Sequence, residues 1–123
     1  MARAAKPRAT VICRRDGKVL LVRKAAAKWT LPGGKIEIDE GPVEAAMREL
    51  SEETGLTAAA LEYLALHEFA SRAHHVFCLD VPASLAATPC NEIADCRWFS
   101  PRELTHKPVK RPCRRLLRLY DAG

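Results

Sequence analysis

The chain has 123 residues, 48% apolar and 28% charged, which suits one compact domain over residues 1–123 and leaves too little chain for a second core. Its apolar runs, such as residues 19–22 and 58–61, fall far short of a bilayer span, and no apolar segment of leader length follows the basic start. No membrane partner is expected, and a cytoplasmic location is the default expectation. A formal net charge of +5 favours anionic ligands such as nucleotides, polyphosphates or RNA. The surplus sits at the two ends, in Arg3, Lys6 and Arg8 and in Lys107, Lys110, Arg111, Arg114, Arg115 and Arg118. Residues 1–7 are expected to form a flexible arm. The five cysteines are an odd number without a C-x-x-C pair, which points to reduced thiols rather than a zinc site.

In chain order, residues 8–14 alternate and a Leu-rich run follows over 19–23. Asp16-Gly17 between them predicts a hairpin. Residues 29–34, Trp-Thr-Leu-Pro-Gly-Gly, predict a short strand ending in a loop. The clearest helix opens at Gly41-Pro42 and closes at Gly55, with Val43, Ala46, Met47, Leu50 and Thr54 on one face. Residues 57–69 and 74–81 predict strands, although the Ala-rich start of the first also suits a helix. Residues 83–95 read as loop, 96–100 as a short strand, 101–104 as a helical turn and 112–120 as a terminal helix. Strands on both sides of a central helix predict an α/β domain with a mixed β-sheet between helices.

Glu49, Glu52 and Glu53 lie three and four residues apart, so their carboxylates stand side by side in the last turns of that helix. Like charges so placed repel, and the negative end of the helix dipole disfavours them further. With Val43 taken as the centre of the apolar stripe, the three flank the stripe instead of facing open solvent. A hard divalent cation with oxygen ligands would supply the missing counter-charge. An exposed acidic helix offset by Arg48 and nearby lysines is the competing reading.

The surrounding residues resemble the Nudix hydrolase family. Its box, G-x5-E-x7-R-E-U-x-E-E-x-G-U with U a bulky aliphatic residue, is matched at every specified position by Gly34, Glu40, Arg48-Glu49-Leu50, Glu52-Glu53 and Gly55-Leu56. The resemblance implies a Nudix-type α/β/α sandwich and hydrolysis of a diphosphate linkage with Mg²⁺, Mn²⁺ being a possible substitute. It also implies Glu49, Glu52 and Glu53 as metal ligands, with the Gly33 carbonyl as a further candidate. Arg48 would orient a box carboxylate, Glu40 being a candidate, while Gly34 and Gly55 would be structural. The general base is left open among Glu52, Glu53 and Glu92, the last lying ahead of the Trp98-Phe99 strand.

Arg23 and Lys24 end the second strand, near where relatives hold substrate phosphates. Trp29 and Phe69 are candidates to stack on a base, with core packing as the alternative. His74 and His75 face opposite sides of a strand, so at most one is expected near a ligand. By elimination the segment resembles the small MutT-like group, whose substrates are nucleoside triphosphates. An RNA 5′ end is the alternative suggested by the basic tail, and a non-catalytic nucleotide-binding regulator is a third reading. Both a monomer and a homodimer are compatible with the sequence.

Overall fold

The structure, a computed structural model, describes residues 4–120. Strands β1 (Lys6–Arg15) and β2 (Lys18–Lys24) form a hairpin through Asp16 and Gly17, whose φ values are 48° and 73°. The two strands pair only beside that turn, Arg14 with Val19 and Arg15 with Lys18. Beyond it they part, and β3 (Gly33–Lys35) takes the vacated edge of β1. On its other edge β1 runs parallel to β5 (Arg72–Asp80), which pairs in turn with β4 (Glu62–Phe69), while β2 pairs with β6 (Ile93–Phe99). The six-stranded mixed sheet has the order β4-β5-β1-β2-β6, with β3 against β1.

Helix α1 (Pro42–Thr54) packs on one face of this sheet. Ala45, Ala46 and Leu50 meet Ala9, Val11, Cys13, Leu20 and Phe77 there. Helix α2 (Pro101–Leu104) and helix α3 (Arg111–Leu119) cover the other, where Leu104, Cys113, Leu116 and Leu117 meet Ile12, Val19, Leu21, Val76 and Phe99. The result is the α/β/α sandwich with a mixed sheet between helices. A capping box starts α2, Ser100 and Glu103 bonding each other's backbone N–H.

Several local expectations are corrected. Gly33 and Gly34 form a strand instead of a loop, because a side chain at Gly33 would lie 2.1 Å from the Ala9 carbonyl oxygen. With φ at 150° and no Cβ, Gly33 lets β3 reach β1. Trp29 and Thr30 contribute only single bridges, to Val109 and Val22. Residues 57–61 precede β4 without regular structure, and β6 begins at Ile93 inside the segment read as loop. Lys6 and Pro7, expected in a flexible arm, pair with Arg72 and Ala73 because the parallel ladder runs to the start of β1. Residues 1–3 of that arm lie outside the described residues.

The two adjacent histidines part as alternation requires. His75 accepts or donates a 3.0 Å hydrogen bond with the Tyr63 hydroxyl on the α1 face. His74 is 5% exposed, stacks on Phe69 at 4.9 Å, and neither of its ring nitrogens has a partner among the described residues. Burial, aided by the charges of Arg8 and Arg72, lowers its pKa to about 4. The folded ring therefore stays neutral at pH values where an unfolded one, with a pKa near 6.5, takes up a proton. Stability from this site is full above about pH 6.5 and is lost as pH falls from there towards about 4. His74→Leu should flatten that part of the pH profile in urea melts and raise stability by about 1 kcal/mol through removal of an unpartnered polar group. An unchanged slope between pH 6.5 and 4 in the variant would clear His74 as its source.

Candidate metal centre and active-site cleft

Helix α1 is closed by Gly55, left-handed at φ 73°, whose N–H bonds the Ser51 carbonyl. The carbonyls of its last three residues would otherwise lack partners. The loop between β5 and β6 supplies them. Asn91 Nδ2 donates to the Glu52 oxygen at 2.6 Å, Cys90 N to Glu53 at 3.1 Å and Thr88 N to Thr54 at 2.9 Å.

The buried arc of α1 runs through Ala45, Ala46, Leu50 and Thr54, while Val43 is 38% exposed. The sequence-based stripe was therefore centred too far round, because packing against the sheet selects the small alanines over the more apolar valine. On a helical wheel the true arc centres some 60° away from Val43, at roughly 100° per residue. Glu49 and Glu53 then fall inside the sheet-facing arc instead of beside it. Glu49 keeps 16% side-chain exposure, and Glu52, at the arc's edge, keeps 51%.

Arg48 connects the acids. Its Nε and Nη2 donate to the two oxygens of Glu40 at 2.7 and 2.9 Å, and its Nη1 to Glu49 at 2.9 Å and Glu52 at 3.3 Å. Nη2 also reaches the Lys35 carbonyl at 3.1 Å. The hydrogen bonds from Arg48, with one from the Glu37 N–H, hold the Glu40 carboxyl down to about 2. Glu53 points the other way and accepts the Gly33 N–H at 2.9 Å. Burial pushes its carboxyl up to about 7, and the Glu49 charge adds to this while the Gly33 N–H, Arg8 and Lys24 oppose it.

Glu49, Glu52 and Glu53 line a cleft of about 830 Å³, with Arg48 behind them. Glu49, Glu52, Glu53, Gly33 and Gly34 form one side, and Lys24, Asn91 and Glu92 lie along another. Glu92 is paired with Lys24 at 3.1 Å. Four further cations, Arg8, Lys28, Lys35 and Lys110, also line the cleft, as does the acid Glu37. None of these four was singled out as a site residue from the sequence. Arg8 sits in a strand pattern and Lys110 in the basic tail, and only the fold brings them to the acids. Asn91 was missed too, and its left-handed φ of 55° is the one local trace of its position.

Arg23 and Trp29 do not line the cleft. Arg23 Nε donates to Asp95 at 2.8 Å, and its guanidinium lies 4.6 Å over the Trp29 ring. Trp29 is 3% exposed and meets Phe99 edge-on at 4.9 Å. The Arg23–Asp95 pair across β2 and β6 thus fixes both side chains in the packing of the α3 face. Glu40 and Gly55 also lie outside the cleft, one clamped by Arg48 and the other ending α1.

The donor set fits a hard cation. Three carboxylates on one helix offer oxygen ligands, two of them partly withdrawn from water. Among the described residues no three His, Cys, Asp or Glu side chains converge into a closed cage.

The two glycines before α1 separate fold from site. A Cβ at Gly33 would strike the backbone of β1, whereas one at Gly34 would lie 2.5 Å from the Glu49 carboxyl, the free end of a flexible side chain. Gly33→Ala is expected to cost several kcal/mol of stability, roughly the upper range of single substitutions. Gly34→Ala should stay within about 1 kcal/mol of wild type yet displace Glu49 and weaken divalent-cation binding. Thermal melts and Mn²⁺ titration of both variants check this, and equal melting-temperature losses would refute the separation.

A model of the NUDIX domain matches residues 5–120 of the chain. The CTP pyrophosphohydrolase of Escherichia coli K12 is 36% identical over 105 residues, covering 80% of this chain and 78% of that one. The phosphatase NudJ of Escherichia coli is 34% identical over 110 residues, 80% of this chain and 72% of its own length. Among solved structures, a nudix hydrolase family member from Chromobacterium violaceum superposes with a TM-score of 0.84 at 31% identity, over 98% of this chain and 79% of that one. Proteins of this family use divalent metal ions. By the family match, the identity to these relatives and the shared fold, the chain belongs to the Nudix hydrolases.

Proposed function

We propose that the protein hydrolyses a nucleoside triphosphate to the monophosphate and pyrophosphate in the cleft beside α1. The observation that carries this reading is the meeting of two opposed charge sets in one cleft. Carboxylates of α1 stand against Arg8, Lys24, Lys28, Lys35 and Lys110, which match the several charges of a triphosphate. The similarity to a CTP pyrophosphohydrolase supports a nucleotide as substrate.

Glu49, Glu52, Glu53 and the Gly33 carbonyl would hold Mg²⁺, or Mn²⁺ in its place. The bound cation would supply neutralisation of the phosphate oxygens and a more acidic water. The remaining work falls to the chain. Arg48 keeps Glu49 and Glu52 side by side despite their repulsion. Glu53, half-buried and anchored by the Gly33 N–H on the opposite side from the Arg48 clamp, is assigned as general base. A water oxygen then bonds to phosphorus, the anhydride P–O bond breaks towards the leaving phosphate, and the water's proton passes to Glu53. Glu92, exposed and tied to Lys24, is the second candidate for that proton. The cations around the cleft bind and orient the phosphate chain.

Glu53→Gln keeps an oxygen to accept the Gly33 N–H, so the fold should survive. Turnover should fall by about 10²- to 10⁴-fold, the usual loss for a general base. Pyrophosphate release from CTP and other nucleoside triphosphates, and nucleoside monophosphate release from nucleotide sugars, with Mg²⁺ and with chelator, measure both. Full turnover in the variant removes Glu53 from the chemistry, and no Mg²⁺-dependent release from any triphosphate by wild type overturns the substrate reading.

A further inference from the structure

Lys24, at the end of β2, and Lys110, just before α3, line one cleft from distant parts of the chain. Trp29 holds the second of them. It precedes Thr30, which exchanges backbone hydrogen bonds with Val22 of β2, and its own backbone bonds the segment before α3. The Trp29 N–H donates to the Pro108 carbonyl at 2.8 Å, and its carbonyl accepts the Lys110 N–H at 2.9 Å. Val109, between those two partners, is buried with Trp29 in the core of the α3 face. Lys110 follows in extended conformation, at φ −58° and ψ 138°, and so turns the opposite way.

Lys24 is set by its neighbour in β2. Arg23 packs on the α3 face, so alternation sends Lys24 to the other side. The pairing of β2 with β6 shifts register here: Arg23 meets Asp95, Lys24 meets Ile93, and Ala94 is left over. A bulge of this kind re-aims the side chains beside it. Arg23 itself joins the two lysine settings. Its Nε donates to Asp95 Oδ2 at 2.8 Å while the same guanidinium lies 4.6 Å over the Trp29 ring. One flat cation outside the cleft thus links the residue beside Lys24 to the residue whose backbone holds Lys110.

We propose that Arg23 is a positioning residue which, held by Asp95 and the Trp29 ring, fixes Lys24 and Lys110 where they bind the phosphate chain. The proposal rests on the reading of the cleft as a triphosphate site. A guanidinium suits the task because it can donate in its plane to a carboxylate while its face lies on an aromatic ring. A lysine ammonium has no such plane and serves one partner at a time. Direct contact of Arg23 with phosphate is the competing role. A double-mutant cycle separates the two. A residue acting through the lysines loses its effect when they are absent, whereas one that touches phosphate keeps it.

The test uses the full chain, with calorimetric titration of inorganic tripolyphosphate and, separately, CTP kinetics. R23M should bind tripolyphosphate about tenfold more weakly and raise the KM for CTP by a similar factor, with kcat within about threefold of wild type. R23K should recover only part of the loss. In a K24A/K110A background, R23M should change tripolyphosphate binding by less than about twofold. A tenfold loss that persists in that background makes Arg23 a phosphate contact and overturns the proposal. So does tripolyphosphate binding unchanged by R23M. Where R23M does not fold, D95N, which keeps an oxygen to accept the Arg23 Nε–H, runs the same cycle with the same two outcomes. Binding that follows the cycle in a protein that turns over no triphosphate supports the positioning role and sinks only the reaction. A wild type that binds no tripolyphosphate overturns both.

Discussion

One guanidinium organises the Glu-rich segment. Arg48 sits at 29% side-chain exposure and donates to Glu40, Glu49, Glu52 and the Lys35 carbonyl, so it ties the segment before α1 to the middle of the helix. A half-buried, multiply bonded fork of this kind is screened less than a surface pair and is worth correspondingly more. Without it, acids one helical turn apart would repel, and Glu40 would lose its partner. Glu53 escapes this clamp and is anchored by β3 through the Gly33 N–H. The acids are therefore held by two supports of opposite kind, a cation for Glu49 and Glu52 and a backbone N–H for Glu53.

The helix that carries them is placed at an electrostatic disadvantage, since its carboxylates crowd the negative end of its dipole. The N–H groups of Thr88 and Cys90 and the Asn91 amide offset part of this by taking up the terminal carbonyls. The same loop delivers Glu92 to the rim of the cleft beside Lys24. Capping of the helix and construction of the site are one set of bonds.

What was legible in the sequence was what depends on neighbours in the chain. The Asp16-Gly17 hairpin, the Pro42 start and Gly55 end of α1 and the run of glutamates all carry local signals. The helix orientation was misread because hydropathy weights Val43 above Ala45, whereas close packing on β1 prefers the smaller side chain. Strand β3 was hidden because Gly-Gly ordinarily marks a turn, and only contact with β1 explains the missing side chains. Arg23 and Trp29 lie near the cleft in sequence but are committed to Asp95 and to the packing of the α3 face, a partnership with no local trace. Arg8 and Lys110 approach the acids from opposite ends of the chain, so no window of sequence contains the cationic half of the cleft.

The parallel pairing of β1 with β5 bears on how the protein comes to be folded. Its register joins Lys6 to Arg72 and Arg14 to Asp80, and the chain between the two strands includes the hairpin return, β3 and the whole of α1. Closing so long a connection costs chain entropy before the sheet contacts can repay it, and ladders of this kind form slowly. Arg8 is brought to the glutamates by the pairing of β1 with β3, whereas Lys110 follows β6 in the chain. A chain without its last elements thus carries the acidic helix with Lys24, Lys28 and Lys35 before it but without Lys110. Competence for chemistry arrives with completion of the fold, not in instalments.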